Sequence, residues 1–195
     1  MINAKYELIA NDTKTFDGVT LFRIRALVEL AGDVAIGDIG GYIESVDNLS
    51  TEGHAWVYGD AHVSGHAHVS DNARVRDNAW VCGNSQVWDN AQVCDDALVY
   101  GEACVSGAAW VSGLARISGD AQISGTACVS GNARVSGTAC VFGNARVSGL
   151  ALVYDNARVS GEACVNGNAC VNGIARVNGN AVLGGGVRVY DIEFN

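Results

Sequence analysis

The chain has 195 residues, with 25 glycines, no proline and only 7% aromatic residues. Its formal net charge is −9, from 12 Lys and Arg against 21 Asp and Glu. This charge argues against a nucleic-acid-binding protein, because binding along a phosphate backbone needs clustered cations. No run approaches the roughly 20 apolar residues of a membrane span, and the N-terminus lacks a signal-peptide pattern, so we expect a cytoplasmic protein without nucleic-acid or membrane partners.

The first 45 residues predict a β-hairpin. Residues 13–16 and 19–24 have strand character, and Asp17-Gly18 stands between them. This dipeptide favours a two-residue type I′ turn, which needs positive φ at both positions. We expect residues 1–45 to act as an N-terminal cap, since an uncovered strand edge invites pairing with another chain.

A six-residue repeat, here called the hexad, occupies residues 55–183. Ala stands at every sixth position from Ala55 to Ala181 except at Ser85, and Val, Ile or Leu follows two positions later. Because side chains alternate across a strand, the Ala and the aliphatic residue face one side, the core, and their neighbours face outward. The next two residues, such as Gly137-Thr138, favour a turn. Each hexad therefore predicts one short strand and one corner.

Three hexads make an 18-residue coil, whose strands stack on the next coil about 4.8 Å away. The predicted fold is all-β: a triangular parallel β-helix of about seven coils with a small N-terminal β cap. We assign residues 46–190 to the β-helix and residues 191–195 to a C-terminal plug. The repeat alone does not decide the handedness of the coils.

Repeats such as Ala133-Arg134-Val135-Ser136-Gly137 resemble those of the left-handed, hexapeptide-repeat parallel β-helix family. The segments at residues 40–44, 47–50 and 56–61 are similar to the N-terminal part of YdcK-like proteins of bacteria and prophages. The resemblance implies left-handed coils and a transferase-like fold. It brings little chemistry, because the YdcK-like proteins are themselves poorly characterised.

Outward positions that are 18 residues apart stack into columns, and one side of the predicted β-helix is the most apolar. It carries Trp80, Leu98, Tyr100, Leu152 and Tyr154. An apolar patch on a flat sheet predicts an interface, with a protein partner or with further copies of the chain in a homo-oligomer. The competing interpretation is that single exposed aromatic residues are common on protein surfaces and need no function.

Regular, loop-free and acidic coils favour a non-catalytic scaffold that binds protein or serves a structural role. The likeness to prophage proteins allows a phage-encoded inhibitor of a host protein. The alternative, which the wider family implies, is a homotrimeric acyltransferase that uses acyl-coenzyme A and a histidine base. His62 and His68 are its candidates, but no inserted loop interrupts the hexads, and an outward histidine is more often a solvated surface residue.

We expect no cofactor and no metal. Asp71 and Asp89 share a corner, as do Asp77 and Asp95, and stacked carboxylates can bind a cation, but corner aspartates more often bond their own backbone. The seven cysteines stand at outward positions and no two are 18 residues apart. Disulfide bonds along a column would therefore exceed the permitted Cα separation, which predicts free thiols.

Overall fold

The structure is a computed structural model that describes residues 5–16, 18–31 and 33–194. Within these ranges the chain forms β-strands and one short 3₁₀ helix, η1 (Val46–Asn48). The strands, in chain order, are β1 (Tyr6–Phe16), β2 (Val19–Ala26), β3 (Ile39–Ile43), β4 (Trp56–Val57), β5 (His62–Val63), β6 (His68–Val69), β7 (Arg74–Val75), β8 (Trp80–Val81), β9 (Gln86–Val87), β10 (Gln92–Val93), β11 (Leu98–Val99), β12 (Cys104–Val105), β13 (Trp110–Val111), β14 (Arg116–Ile117), β15 (Gln122–Ile123), β16 (Cys128–Val129), β17 (Arg134–Val135), β18 (Cys140–Val141), β19 (Arg146–Val147), β20 (Leu152–Val153), β21 (Arg158–Val159), β22 (Cys164–Val165), β23 (Cys170–Asn172), β24 (Arg176–Val177), β25 (Val182–Leu183), β26 (Arg188–Tyr190) and β27 (Glu193–Phe194).

The strands form three sheets. Sheet 1 runs β1-β2-β3-β5-β8-β11-β14-β17-β20-β23-β26, sheet 2 runs β4-β7-β10-β13-β16-β19-β22-β25, and sheet 3 runs β6-β9-β12-β15-β18-β21-β24-β27. Successive coils pair in parallel with an 18-residue step, as in Trp80↔Leu98. The chain is therefore a β-solenoid, as predicted, with about eight turns rather than seven. The left-handed course and the triangular cross-section stay predictions.

The core lies between the sheets and is built as the hexad predicts. Ala133 and Val135 are fully buried, and the same holds for the equivalent Ala and aliphatic positions from Ala55 to Val177, whereas Ala181 in the last coil is partly buried. Ser85 is also fully buried, but its hydroxyl donates a 2.8 Å hydrogen bond to the carbonyl of Cys82. A serine fits among the alanines because its one polar group is paired.

Backbone hydrogen bonds join each coil to the next, as from Arg116 N to the Ala133 carbonyl at 2.9 Å. At the corners, Gly or Asp adopts a positive φ; for Asp89 the angle is 59°. The Asp89 carboxylate accepts a 2.9 Å hydrogen bond from the backbone N–H of Gly107 in the next coil. The corner aspartates therefore link neighbouring coils, instead of bonding their own turn as the sequence suggested.

The predicted hairpin is present. Strands β1 and β2 pair antiparallel up to Phe16↔Val19. Asp17 lies outside the described residues, so the predicted turn type is not part of the description. Strand β2 then pairs with β3, whose Tyr42 pairs in parallel with His62 of the first coil. The hairpin therefore extends sheet 1, and its Tyr6 and Ile24 side chains belong to the buried core.

Two glycines allow β3 to lie against the first coil. A Cβ atom on Gly40 would lie 2.7 Å from the Val57 carbonyl oxygen, and one on Gly41 would lie 2.6 Å from the Ala61 carbonyl oxygen. Both distances are shorter than van der Waals contact, so only glycine fits this close approach of two backbones.

The tail belongs to the solenoid. Strand β27 pairs in parallel with β24, with Arg176 opposite Glu193. The part of the predicted plug that forms β27 is thus a further strand of sheet 3.

Candidate interaction surface

The residues predicted to form an interface share the outward face of sheet 1, which we call the sheet-1 face. Leu98, Arg116, Arg134 and Leu152 follow one another in adjacent parallel strands. Tyr100 and Tyr154 lie beside the two leucines, two residues further along the chain. Tyr100 is 39% exposed and Leu152 is 37% exposed. The structure therefore brings the predicted residues onto one surface, with an arginine pair between two apolar ends.

Trp80, at one end of this row, is partly covered by the N-terminal hairpin. The Phe16 ring lies edge-on against the Trp80 indole with 4.4 Å between ring centroids. The indole N–H donates to the Ser64 hydroxyl at 3.3 Å. The accessible apolar surface therefore starts mainly at Leu98. This contact could not be predicted from the sequence, because the hexads carry no information on the position of a hairpin outside the repeat.

A depression of about 250 Å³ crosses the sheet-1 face beside the corner that joins it to sheet 2. Its lining residues are Asn78, Trp80, Asp96, Ala97, Leu98, Leu114, Arg116, Asn132 and Arg134. Leu114 is 53% exposed and was not among the predicted interface residues. The sequence does single out Leu114. It occupies a corner position, and the three other coils that line the depression have Asn or Asp at this position.

Arg116 and Arg134 carry positive charge on the sheet-1 face. Each side chain is exposed, and in the described part of the chain neither forms an ion pair. Arg25 and Arg74, near the N-terminus, behave differently, since they pair with Glu7 at 2.8 Å and with Asp33 at 3.3 Å. The sheet-1 face therefore presents a local basic spot on an acidic protein.

His62 is built into the packing beneath the hairpin. Its ring stacks on Phe16 at 6.2 Å and lies 5.7 Å from the Tyr42 ring, and its Nε2 is buried without a hydrogen-bond partner among the described residues. Burial, together with the nearby Lys14 ammonium, lowers the pKa of His62. Its Nε2 is buried, which is a poor setting for a general base that must reach a proton on a bound substrate.

His68 is exposed and lies on sheet 3, away from His62 on sheet 1. Its Nδ1 is 2.7 Å from the carbonyl oxygen of Asp47. This contact fixes the ring and its tautomer, with Nδ1 as the donor and Nε2 free to accept. The two histidines therefore do not form one site.

All seven cysteines are free. Cys94 differs from the others because it is buried, and the Trp110 indole of the next coil donates a hydrogen bond to its sulfur. Burial raises the pKa of the Cys94 thiol, and Asp95 raises it further. The protonated thiol is a poor nucleophile, so Cys94 serves as packing.

Cys94 also lies near two carboxylates. Ligand atoms of Asp77, Cys94 and Asp95 are within 4.8 Å of one another. One oxygen of Asp77 accepts from the N–H of Asp95, and one oxygen of Asp95 accepts from the N–H of Gly113. These carboxylates are thus engaged in joining coils, like the other corner aspartates.

A family profile described as the YdcK Beta solenoid repeat matches residues 67–83 and 91–113. These two stretches of the solenoid are therefore similar to the YdcK β-solenoid repeat. The match agrees with the predicted resemblance to YdcK-like proteins, and it lies in the hexads instead of the segments at residues 40–61 from which that resemblance was inferred. The YdcK matches include Trp80, Leu98 and Tyr100 of the sheet-1 face. No curated protein matches the chain.

Across the residues that the structure describes, no helix is long and apolar enough to cross a membrane.

Proposed function

We propose that this protein is a non-catalytic scaffold that binds a protein partner through the sheet-1 face. The observation that carries the proposal is the row Leu98-Arg116-Arg134-Leu152, flanked by Tyr100 and Tyr154 on a flat sheet. Tyrosine and arginine are enriched where proteins bind one another, since both combine apolar area with directional hydrogen bonds.

The solenoid supports this role by holding the row rigid. Each outward residue lies between two core residues that are fully buried, such as Arg134 between Ala133 and Val135. The backbone is bonded to the coil on each side. A surface held in this way loses little conformational freedom when it docks, which favours binding.

The acyltransferase alternative has less support. His62 is packed against Phe16 and Tyr42, and His68 lies on another sheet. A histidine base must reach the proton that it removes from the acceptor, and His68 is the candidate with an open ring nitrogen. An inhibitor of a host protein, by contrast, is one form of the scaffold that we propose.

The experiment is site-specific photocrosslinking. A benzophenone amino acid replaces Tyr100 or Tyr154 on the sheet-1 face, and Gln122, exposed on sheet 3, serves as the matched control. We expect both tyrosine positions to crosslink one and the same protein in the source cells, and the Gln122 position to give no such product. Equal crosslinking from both sheets would contradict the proposal.

Two further measurements separate the alternatives. Light scattering on wild type and on the L98R/L152R double variant tests self-association, since an oligomer that uses this face would lose mass in the variant. A thermal-shift measurement with acetyl-coenzyme A tests the enzyme. Stabilisation that disappears in His68→Gln would favour the acyltransferase over the scaffold.

A further inference from the structure

We propose that the depression on the sheet-1 face binds an acidic segment of a partner protein, with a carboxylate against Arg116 and Arg134 and an apolar side chain against Leu98 and Leu114. The inference rests on the proposed function and adds the chemistry of the partner.

Two arginines give the depression its positive charge. Arg116 and Arg134 are directly opposite each other in neighbouring strands, which are about 4.8 Å apart. Two like charges at this spacing repel, and a carboxylate between them removes the repulsion and receives charge-assisted hydrogen bonds from both guanidinium groups. A second opposed arginine pair, Arg158 and Arg176, lies on sheet 3, so charge alone does not choose between the two pairs. The pair on the sheet-1 face differs because Leu98 and Leu114 lie beside it in the depression, which favours an acidic segment that also carries an apolar residue.

The size of the depression suits side chains of a protein segment. Its volume of about 250 Å³ is below the ~300–1,000 Å³ of typical small-molecule pockets. It holds one or two side chains of a protein segment more readily than a cofactor. Leu98 and Leu114 offer an apolar wall to such a side chain, and Asn132 offers an amide to its backbone.

The two ends of the depression differ in charge, which orients the segment. Asp96 lies toward the Trp80 end, where its carboxylate accepts a 3.1 Å hydrogen bond from the Asn78 amide. A carboxylate of the partner is repelled there and attracted at the arginine end. The preferred segment therefore has its acidic residue at the Arg116 and Arg134 end and its apolar residue next to it.

A binding titration tests the inference. The probes are two fluorescein-labelled peptides, one of alternating Glu and Leu and one of alternating Gln and Leu, followed by fluorescence anisotropy. We expect the Glu-Leu peptide to bind at low salt, to bind more weakly as salt rises, and to bind at least about tenfold more tightly than the Gln-Leu peptide.

Variants locate the binding. The R116E/R134E double variant should weaken binding of the Glu-Leu peptide by at least about tenfold. The matched control is R158E/R176E, which makes the same charge change at an opposed pair on sheet 3. The next coil has an asparagine, Asn132, at the corner equivalent to Leu114. The Leu114→Asn variant should therefore fold, and it should bind the Glu-Leu peptide more weakly. Equal binding of both peptides, or equal effects of the two double variants, would overturn the inference.

The same variants distinguish a failure of this inference from a failure of the proposed function. If R116E/R134E abolishes the Tyr100 crosslink to the partner, both proposals gain support. If the crosslink persists at wild-type yield in R116E/R134E, the scaffold stands and the acidic-segment inference fails. If only self-association is found and the Glu-Leu peptide does not bind, the inference is again wrong.

Discussion

Phe16, near the turn of the N-terminal hairpin, packs edge-on against Trp80 of the solenoid with 4.4 Å between the ring centroids. The two residues are far apart in sequence, and Trp80 lies on a strand that is not a hydrogen-bonded neighbour of the hairpin in sheet 1. The hairpin therefore reaches across the outward face of the sheet. This contact sets the boundary between the covered and the accessible parts of the sheet-1 face.

Replacing Phe16 by Ala should uncover Trp80 without unfolding the solenoid. An aromatic edge-to-face pair contributes about 0.5–1.5 kcal/mol, so we expect a loss of stability of that order in urea titration. Acrylamide quenching of tryptophan fluorescence should increase. Phe142→Ala, on sheet 3, is the control and should leave the quenching of Trp80 unchanged; the same increase in both variants would contradict the contact.

Acidification should loosen the hairpin because of His62. Its pKa in the folded protein is lowered below the ordinary value, chiefly by burial and then by Lys14. The unfolded chain therefore takes up the proton first, and the stabilising contribution of neutral His62 is present above about pH 6.5 and is lost as pH falls through its folded pKa.

The test is the free energy of unfolding between pH 7.5 and 5 for wild type and His62→Gln. We expect a smaller decrease in the variant over this window. Asp60 acts in a different range: the Lys14 hydrogen bond lowers the pKa of its carboxyl, so its contribution is lost only at lower pH. Identical profiles for the two proteins would show that His62 is not responsible.

Inward and outward positions of one hexad should respond in opposite ways to the same new side chain. Ala133→Leu overfills a fully buried position and should cost about 1–3 kcal/mol. Arg134→Leu changes an exposed residue and should leave the melting temperature nearly unchanged. Thermal denaturation of both variants is the measurement, and the reverse order of effects would mean that the assignment of core and surface is wrong.

Among the residues before the first hexad, Asn48 should be one of those whose substitution lowers the stability of the fold most. It is fully buried, its amide nitrogen donates to the carbonyls of Gly65 and Ala67, and its amide oxygen accepts from the N–H groups of Glu44 and Ser45. Asn48→Ala leaves these groups unpaired and should cost at least about 2 kcal/mol. Asn48→Asp should also destabilise, because a carboxylate cannot donate.

Urea titration measures both Asn48 variants, with Asn132→Ala at an exposed corner as the control. We expect that control to remain within about 0.5 kcal/mol of wild type. A similar loss in the control would mean that the buried hydrogen bonds of Asn48 carry no special weight.

The hexad repeat is enough to predict the solenoid and most of its candidate surface. Ala and an aliphatic residue recurring every sixth position can be buried together only if each hexad makes one strand and one corner, and the resulting 18-residue step places Leu98 and Leu152 in one column. The same 18-residue step places Arg116 and Arg134 between the two leucines. For this reason both the core and the sheet-1 face were predicted without a structure.

The contacts that non-repeating residues make with the solenoid depend on tertiary packing. The N-terminal segment has no repeat and therefore no register, so the contact of Phe16 with Trp80 and the burial of Asn48 had no signal in the hexads. Cys94 stands at an outward position yet is buried, and the Trp110 indole of the next coil interacts with its sulfur. Residues outside the periodic pattern find their places through side-chain packing and hydrogen bonds, which depend on the positions of distant atoms and not on spacing along the chain.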